Sequence, residues 1–423
     1  MRKMNIGIGL APGGQCCGGA TFDPVVDLAA KPFIWIDPYD LDSMYQESNG
    51  KTPVTASGQP VGLVLDKSQG AVRGANLITN GNNGVYSADI TGVTGLNASV
   101  VRDTTIFPTG SVKATVTTPS VTGALLQTLT LTPGELYEVT CDGYVPSSNT
   151  TKVLNIGLGG VSTGLSSNVS VADAIGSMRC TFTSGSGATE IRGYIHNPSV
   201  AWGATSDVGY FKNLTVKHIP GRHIFGVPGN TPTYIEDGDL RAIAFNGTSQ
   251  FLYHYKAPGF STDKMVIIAG KESNSAAQGI YFNYNNNETL NGYVGLVANA
   301  TSAGGSGYYA NTFRGTAAAS VNLPTSFPIN NRHVVTAIGD IAAPLIAGRV
   351  DGVEDATSAA TQGTGNYAEV VNMSIGARLS NVGAASQRWS GRIYQMFIVG
   401  DELTPTELSE LEAIAAVAAD VAV

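Results

Sequence analysis

Charge is scarce in this chain. Asp, Glu, Lys and Arg make up 13% of its 423 residues, against about 25% in a typical globular protein, and basic residues never run longer than Arg2-Lys3. With a formal net charge of −8 there is no electrostatic footprint for a phosphate backbone, which argues against DNA or RNA as a partner. A free monomer usually keeps more solvating charge than this, so neighbouring subunits are expected to cover part of the surface. Cysteine is scarce too. Four residues do not make a disulfide framework: Cys16 and Cys17 are adjacent, and Cys141 and Cys180, though able to face each other in one sandwich, are expected as buried free thiols. None of the five histidines stands in a zinc-binding spacing, so no metal centre is expected. There is no nucleophile elbow, no phosphate-binding loop and no dinucleotide fingerprint opening a helix, and no cofactor is expected. No stretch approaches a membrane span, and Met1 to Leu10 lacks the apolar core of a secretory leader, so neither membrane insertion nor signal-directed export is expected.

Glycine is abundant, with 52 residues, and Thr, Ser, Asn and Val recur throughout. Together with alternating apolar residues this is the profile of an all-β protein with many turns, long enough for two or three cores. Three sections follow along the chain. In the first, residues 1–74, Ile6, Ile8 and Leu10 alternate with small residues as an arm that can pair with another subunit's sheet edge, and residues 11–20 form a Gly- and Cys-rich linker. An adaptor then predicts a strand over residues 33–36, a helical turn over 41–45, a turn at Asn49-Gly50 and a strand over 61–65. Asp37, Asp40 and Asp42 place oxygen ligands at the short intervals that suit calcium, and turn and cap roles account for the same three residues.

Two phrases in the adaptor are distinctive: W-x-D-P-x-D-L from Trp35 to Leu41, and T-P-V-T-A-x-x-Q-P-V-G-x-x-L-D-K-S from Thr52 to Ser68. In that order they resemble a segment of tailed-bacteriophage and prophage virion proteins. The second section, residues 75–219, has an N-L-I-x-N opening at Asn76, an L-Y-E-V-T strand at Leu136 and an F-K-N-L-T-V strand at Phe211, and is similar to the galactose-binding-like jelly rolls of carbohydrate-binding modules. The third, residues 220–423, resembles the concanavalin A-like (laminin-G-like) sandwiches at five points in order. These are the opening strand with its Asn246-Gly247 turn, Arg332-His333-Val334-Val335 with Arg332 in place of an aromatic, the Asp351-Gly352 hairpin, Met373 to Ala377, and the closing strand and helix after Trp389. That helix carries its own start signal, with Thr404 as N-cap, Pro405 in the first turn and Glu407 three residues after the cap.

The fold class expected is thus all-β, with two tandem β-sandwiches, a jelly roll and then a concanavalin A-like domain, preceded by an irregular arm and adaptor. The resemblances imply a non-enzymatic virion structural protein, made in the bacterial host cytoplasm. It would be a capsid decoration protein or head fibre or, alternatively, a tail fibre or other tail appendage, forming a homo-oligomer, with a trimer favoured. Its partners would be capsid or tail proteins and host-surface glycans. Attachment to the particle falls to Ile6, Ile8, Leu10 and Trp35. Candidate carbohydrate-binding aromatics are Trp202, Tyr308, Tyr309 and Trp389, with a core role as the alternative for Trp35 and Trp389. The rival class is a polysaccharide depolymerase or glycosidase, which needs two carboxylates flanking a scissile bond. Glu236, Asp237 and Asp239 are expected in a loop and Asp351 in a turn, so no such pair is anticipated.

Overall fold

The computed structural model describes residues 22–70, 73–78, 84–118, 125–151, 153–158, 169–184, 188–197, 201–202, 204–257, 260, 263–274, 278–285, 292–300, 308–323, 330–367, 371–379 and 385–423. Among these residues helix is confined to Pro24–Asp27 (α1), a 3-10 turn at Leu41–Ser43 and the terminal helix Pro405–Ala419 (α2). All else of regular structure is antiparallel strand, and the protein is all-β, with two tandem sandwiches.

The first sandwich packs the sheet Ile175–Thr183, Leu136–Tyr144, Val208–Ile219, Ser111–Val116, Ala98–Asp103 against a smaller one built on Leu125–Thr130, Leu154–Leu158 and Ala188–Asn197. Period-two patterning sets the faces. Tyr137, Val139 and Cys141 point into the core with Cys180, Phe211 and Val216, while Thr140 on the opposite face bonds Thr215 across the ladder, oxygen to oxygen at 2.7 Å. Cys141 and Cys180 are buried free thiols, both pushed up to about 12 by burial.

The second sandwich faces an eight-stranded sheet against a nine-stranded one. The first runs Thr233–Asp237, Leu240–Asn246, Ser390–Val399, Lys264–Ser273, Arg332–Asp340, Leu345–Val350, Val353–Ser358. The closing strand Ser390–Val399 thus lies inside the sheet. The turns form as their residues require: Asp351 and Gly352 both take positive φ, 49° and 77°, as a two-residue hairpin demands, and Gly247 follows Asn246 with φ 70°. The helix α2 begins with a complete capping box, Thr404 Oγ1 accepting from the Glu407 N–H while Glu407 accepts from the Thr404 N–H. It lies across the outer face of the eight-stranded sheet, covering Val266, Ile268, Val334 and Phe397. A Cβ at Gly270 would come within 2.7 Å of the Ala415 carbonyl, so glycine is what lets the helix approach this closely.

The adaptor is woven into the second sandwich. Its strand Phe33–Ile36 pairs with residues 396–399 of the closing strand, and Met44–Tyr45 and Leu63–Val64 extend the nine-stranded sheet through Ile224–Gly226. Residues 41–43 form only a single 3-10 turn because Met44 is drawn into that sheet. The two distinctive phrases interlock. Asp66 accepts from the backbone N–H groups of Trp35, Ser68 and Arg222 and from the Ser68 hydroxyl, and Lys67 donates to Asp37 at 2.6 Å with its ammonium 4.5 Å from the Trp35 ring centroid. Burial pushes the Asp66 carboxyl up, and those N–H donors pull it back.

The same segment couples the sandwiches. Tyr45, Leu63 and Leu65 pack on Leu136 and Ile219 of the first, and the Tyr45 hydroxyl accepts from Arg73 at 2.6 Å and from Arg179 at 2.7 Å, while Arg179 also binds Glu138. Beside this joint, His223 is buried with Nδ1 accepting from the Asp66 N–H at 3.0 Å, and burial holds it down to about 4.

Candidate functional site

The strand Lys264–Ser273 divides its side chains between two worlds. Met265, Ile267 and Ala269 enter the core between the sheets, and Val266 and Ile268 lie outside under α2. Continued to the strand's end, that alternation puts Lys271 inside and Glu272 outside. Lys271 is fully buried, its amine 4.6 Å from the Tyr281 ring centroid and 5.5 Å from that of Trp389, and burial holds it well below the ordinary lysine range.

Glu272 opens instead into a cleft of about 970 Å³ beside the C-terminal end of α2. Strand register builds the row across its floor: Glu272 is paired with Arg332 on one neighbouring strand and with Arg392 on the other. A bulge between Gly270 and Lys271 on one side and residues 393–395 on the other brings Tyr394 onto the same face, where its hydroxyl donates to Glu272 Oε2 at 2.7 Å. Burial and that hydrogen bond push the Tyr394 hydroxyl up, so it remains a donor across the physiological range. Arg392 Nη1 lies 3.1 Å from Asp237 and 4.0 Å from Glu272, and Arg332 Nη1 lies 3.1 Å from Asp420 just past the helix. Asp239, Asn274 and Asn330 complete the polar lining. Tyr39 forms one wall, its hydroxyl donating to the Ala418 carbonyl at 2.7 Å.

A row of guanidinium, carboxylate and amide groups offers the paired donors and acceptors that bind vicinal hydroxyls. Asp237 and Glu272 share Arg392, and Glu272 Oε2 also accepts from the Tyr394 hydroxyl. Among the described residues no group of three or more His, Cys, Asp or Glu is arranged to hold a metal ion. At the Asp37, Asp40 and Asp42 turn, Lys67 takes the place a cation would, 2.6 Å from Asp37 and 3.2 Å from Asp40.

Of the aromatics singled out in the sequence, Trp389 is no platform. It is 1% exposed, packed between Phe245 and Tyr281, and its indole N–H donates to Ser273 Oγ at 3.1 Å. The strand's inward face claims it. Trp35 is half-buried, stacked on Phe397 at 5.6 Å and covered by Lys67, so it fastens the adaptor to its own sandwich. Trp202 lies in the short strand Ala201–Trp202 and Tyr308 and Tyr309 begin Tyr308–Arg314; their side chains, like all of Ile6, Ile8 and Leu10, fall outside the described residues. Of the acidic group before the opening strand, Glu236 and Asp237 lie in the strand Thr233–Asp237, which pairs with Leu240–Asn246, while Asp239 lies in the turn after Gly238 at φ 63°; Asp237 and Asp239 both line the cleft.

The cleft residues Glu272, Arg332, Arg392 and Tyr394 were missed as a group. The signal was the polar, outward half of Arg392-Ile393-Tyr394 and the arginine standing where the resembling family has an aromatic, but only strand order joins them.

No protein-family model matches the chain, and no curated protein matches it in sequence. Solved structures with a similar fold include a heptameric SAP-like pentraxin from Limulus polyphemus, 12% identical over 41% of this chain and 80% of that one, with a TM-score of 0.33. Domain 4 of an extracellular arabinanase from Geobacillus stearothermophilus, in complex with arabinotriose, is 15% identical over 43% of this chain and 81% of that one, with a TM-score of 0.33. A sialidase carbohydrate-binding module from Ruminococcus gnavus, bound to alpha2,3 sialyllactose, is 18% identical over 36% and 83%, with a TM-score of 0.29.

Proposed function

We propose that this chain is a non-catalytic recognition protein displayed on a tailed-bacteriophage particle, reading host-surface glycans through the cleft of its second sandwich. The observation that carries the glycan reading is the Arg332, Glu272, Arg392 row flanked by Asn274 and Asn330, a set of fixed hydrogen-bonding groups matched to hydroxyl-rich ligands. A binding role fits the carboxylates better than a catalytic one, because a general acid must be free to give up a proton and Asp237 and Glu272 are committed to Arg392 and Tyr394. The virion assignment rests on the two adaptor phrases. Within it, the chain is a capsid decoration protein, head fibre or tail appendage, assembled as a homotrimer and attached by its residues 1–20. Trp202, Tyr308 and Tyr309 would add stacking contacts beyond the cleft.

Binding of the full chain to purified host polysaccharide, measured by calorimetry alongside an assay for new reducing ends, tests the reading. Saturable binding without sugar release is expected, and Arg392→Ala should weaken it. Release of reducing ends would make the protein a depolymerase. Gold labelling of particles with an antibody to the chain tests the location, and unlabelled particles would remove the virion assignment.

A further inference from the structure

We propose that the cleft takes a saccharide bearing a protonated amine, a hexosamine whose nitrogen is not acylated; this rests on the reading of the cleft as a glycan site. Its charge is unbalanced: the carboxylates of Asp237, Asp239, Glu272 and Asp420 face the guanidiniums of Arg332 and Arg392, leaving two net negative charges. Each guanidinium is already paired, Arg392 with Asp237 and Arg332 with Asp420, so an anionic sugar meets no free positive charge there.

Two observations then place a cation. Glu272 is 8% exposed; its Oε2 accepts from Tyr394 and faces Arg392, while Oε1 has no hydrogen-bonding partner among the described residues. A carboxylate oxygen that opens on a cleft is suited to a charge-assisted bond from an ammonium group. The second is α2, which ends at Ala419 with Val417 and Asp420 lining the cleft. The carbonyl end of a helix carries partial negative charge and favours cations. Asp239, exposed and without an ion pair among the described residues, adds a third attraction. A cavity of about 970 Å³ holds more than one sugar ring, so hydroxyl contacts along the row and an amine contact at Glu272 can be made together.

Calorimetry on the full chain with three oligosaccharides of equal length decides it: a glucosamine oligomer, its N-acetylated counterpart and a galacturonate oligomer. The glucosamine oligomer should bind at least about tenfold more tightly than the other two, with the advantage falling as salt is raised. Asp239→Asn, a change at an exposed position, and Glu272→Gln, which keeps an acceptor for Tyr394, should each shrink that advantage several-fold. If the acetylated or acidic oligomer binds as well or better and Arg392→Ala abolishes its binding, the amine preference is overturned while the cleft remains a glycan site. If saccharides bind but neither Arg392→Ala nor Asp239→Asn alters affinity, the cleft is not the site and both readings fall.

Discussion

Lys271 and Glu272 are sequence neighbours with opposite fates. One is sealed between Tyr281 and Trp389 in the space between the sheets, and the other opens onto solvent beneath the end of α2. The strand's period of two makes that division, so at its end one side chain joins the core between the sheets and the next lines the cleft proposed to bind. Substitutions at the inner positions, and at Val266 and Ile268 beneath α2, should therefore act on melting and leave ligand affinity per folded molecule alone, and those at the cleft positions should do the reverse.

The sharpest test of the inner face is Trp389→Ala. The indole is fully buried against Phe245 and Tyr281, and a Cβ at Gly391 would clash with it at 2.1 Å, so the neighbouring backbone is shaped around this side chain. A loss of about 3 to 5 kcal/mol in denaturant unfolding is expected. A loss under about 1 kcal/mol, together with weakened glycan binding, would return Trp389 to the list of sugar platforms and break the division.

Next in size is a pH effect from the buried joint. His223 titrates near 6.5 when unfolded and is held down to about 4 in the fold. The unfolded chain therefore takes up a proton first as pH falls, and stability is lost between about 6.5 and about 4, by about 3 kcal/mol for this residue. Asp66, pushed up by burial, works in the opposite sense and offsets part of the loss. Urea unfolding at stepped pH should show the decline, and His223→Gln should reduce it without abolishing it, because burial also holds the neighbouring His254 down to about 4; an unchanged slope in that variant would place the acid sensitivity elsewhere.

Much of this inner region was legible in the sequence. Alternation placed the strands, Asn246-Gly247 and Asp351-Gly352 the turns, and Thr404, Pro405 and Glu407 the helix start, because each depends on residues adjacent in the chain. The cleft was not legible. Glu272, Arg332 and Arg392 come from three strands far apart in sequence, and their row exists only because the closing strand inserts beside Lys264–Ser273 rather than at an edge. The adaptor was half legible: its phrases were recognised as units, but the pairing of Lys67 with Asp37 and of residues 33–36 with the closing strand had to come from three dimensions.

On the outer face, Arg392→Ala should cost about 1 to 3 kcal/mol of glycan affinity, since it deprives the row of a central guanidinium and leaves Glu272 short of a partner. Its effect on stability should stay within about 1 kcal/mol, because its side chain is partly solvated and its partner Asp237 is largely exposed. Calorimetry and thermal melting on the same preparation separate the two quantities. A large melting shift with unchanged affinity would mean that the row is a structural ion network.

The smallest expected effect is at the rim. Asp420 is 73% exposed at its side chain and pairs with Arg332 across solvent, and such pairs contribute little because water screens the attraction and two side chains lose freedom to form it. Asp420→Asn should change unfolding free energy by no more than about 0.5 kcal/mol. It nonetheless removes one of the cleft's negative charges and frees the Arg332 guanidinium, so the preference for an amine-bearing sugar over an acidic one should narrow even though the fold is untouched. Comparing the ratio of the two affinities in Asp420→Asn and in the unaltered protein isolates the cleft's charge from its shape. A ratio that does not move would show that hydrogen bonding along the row, and not the net charge, selects the ligand.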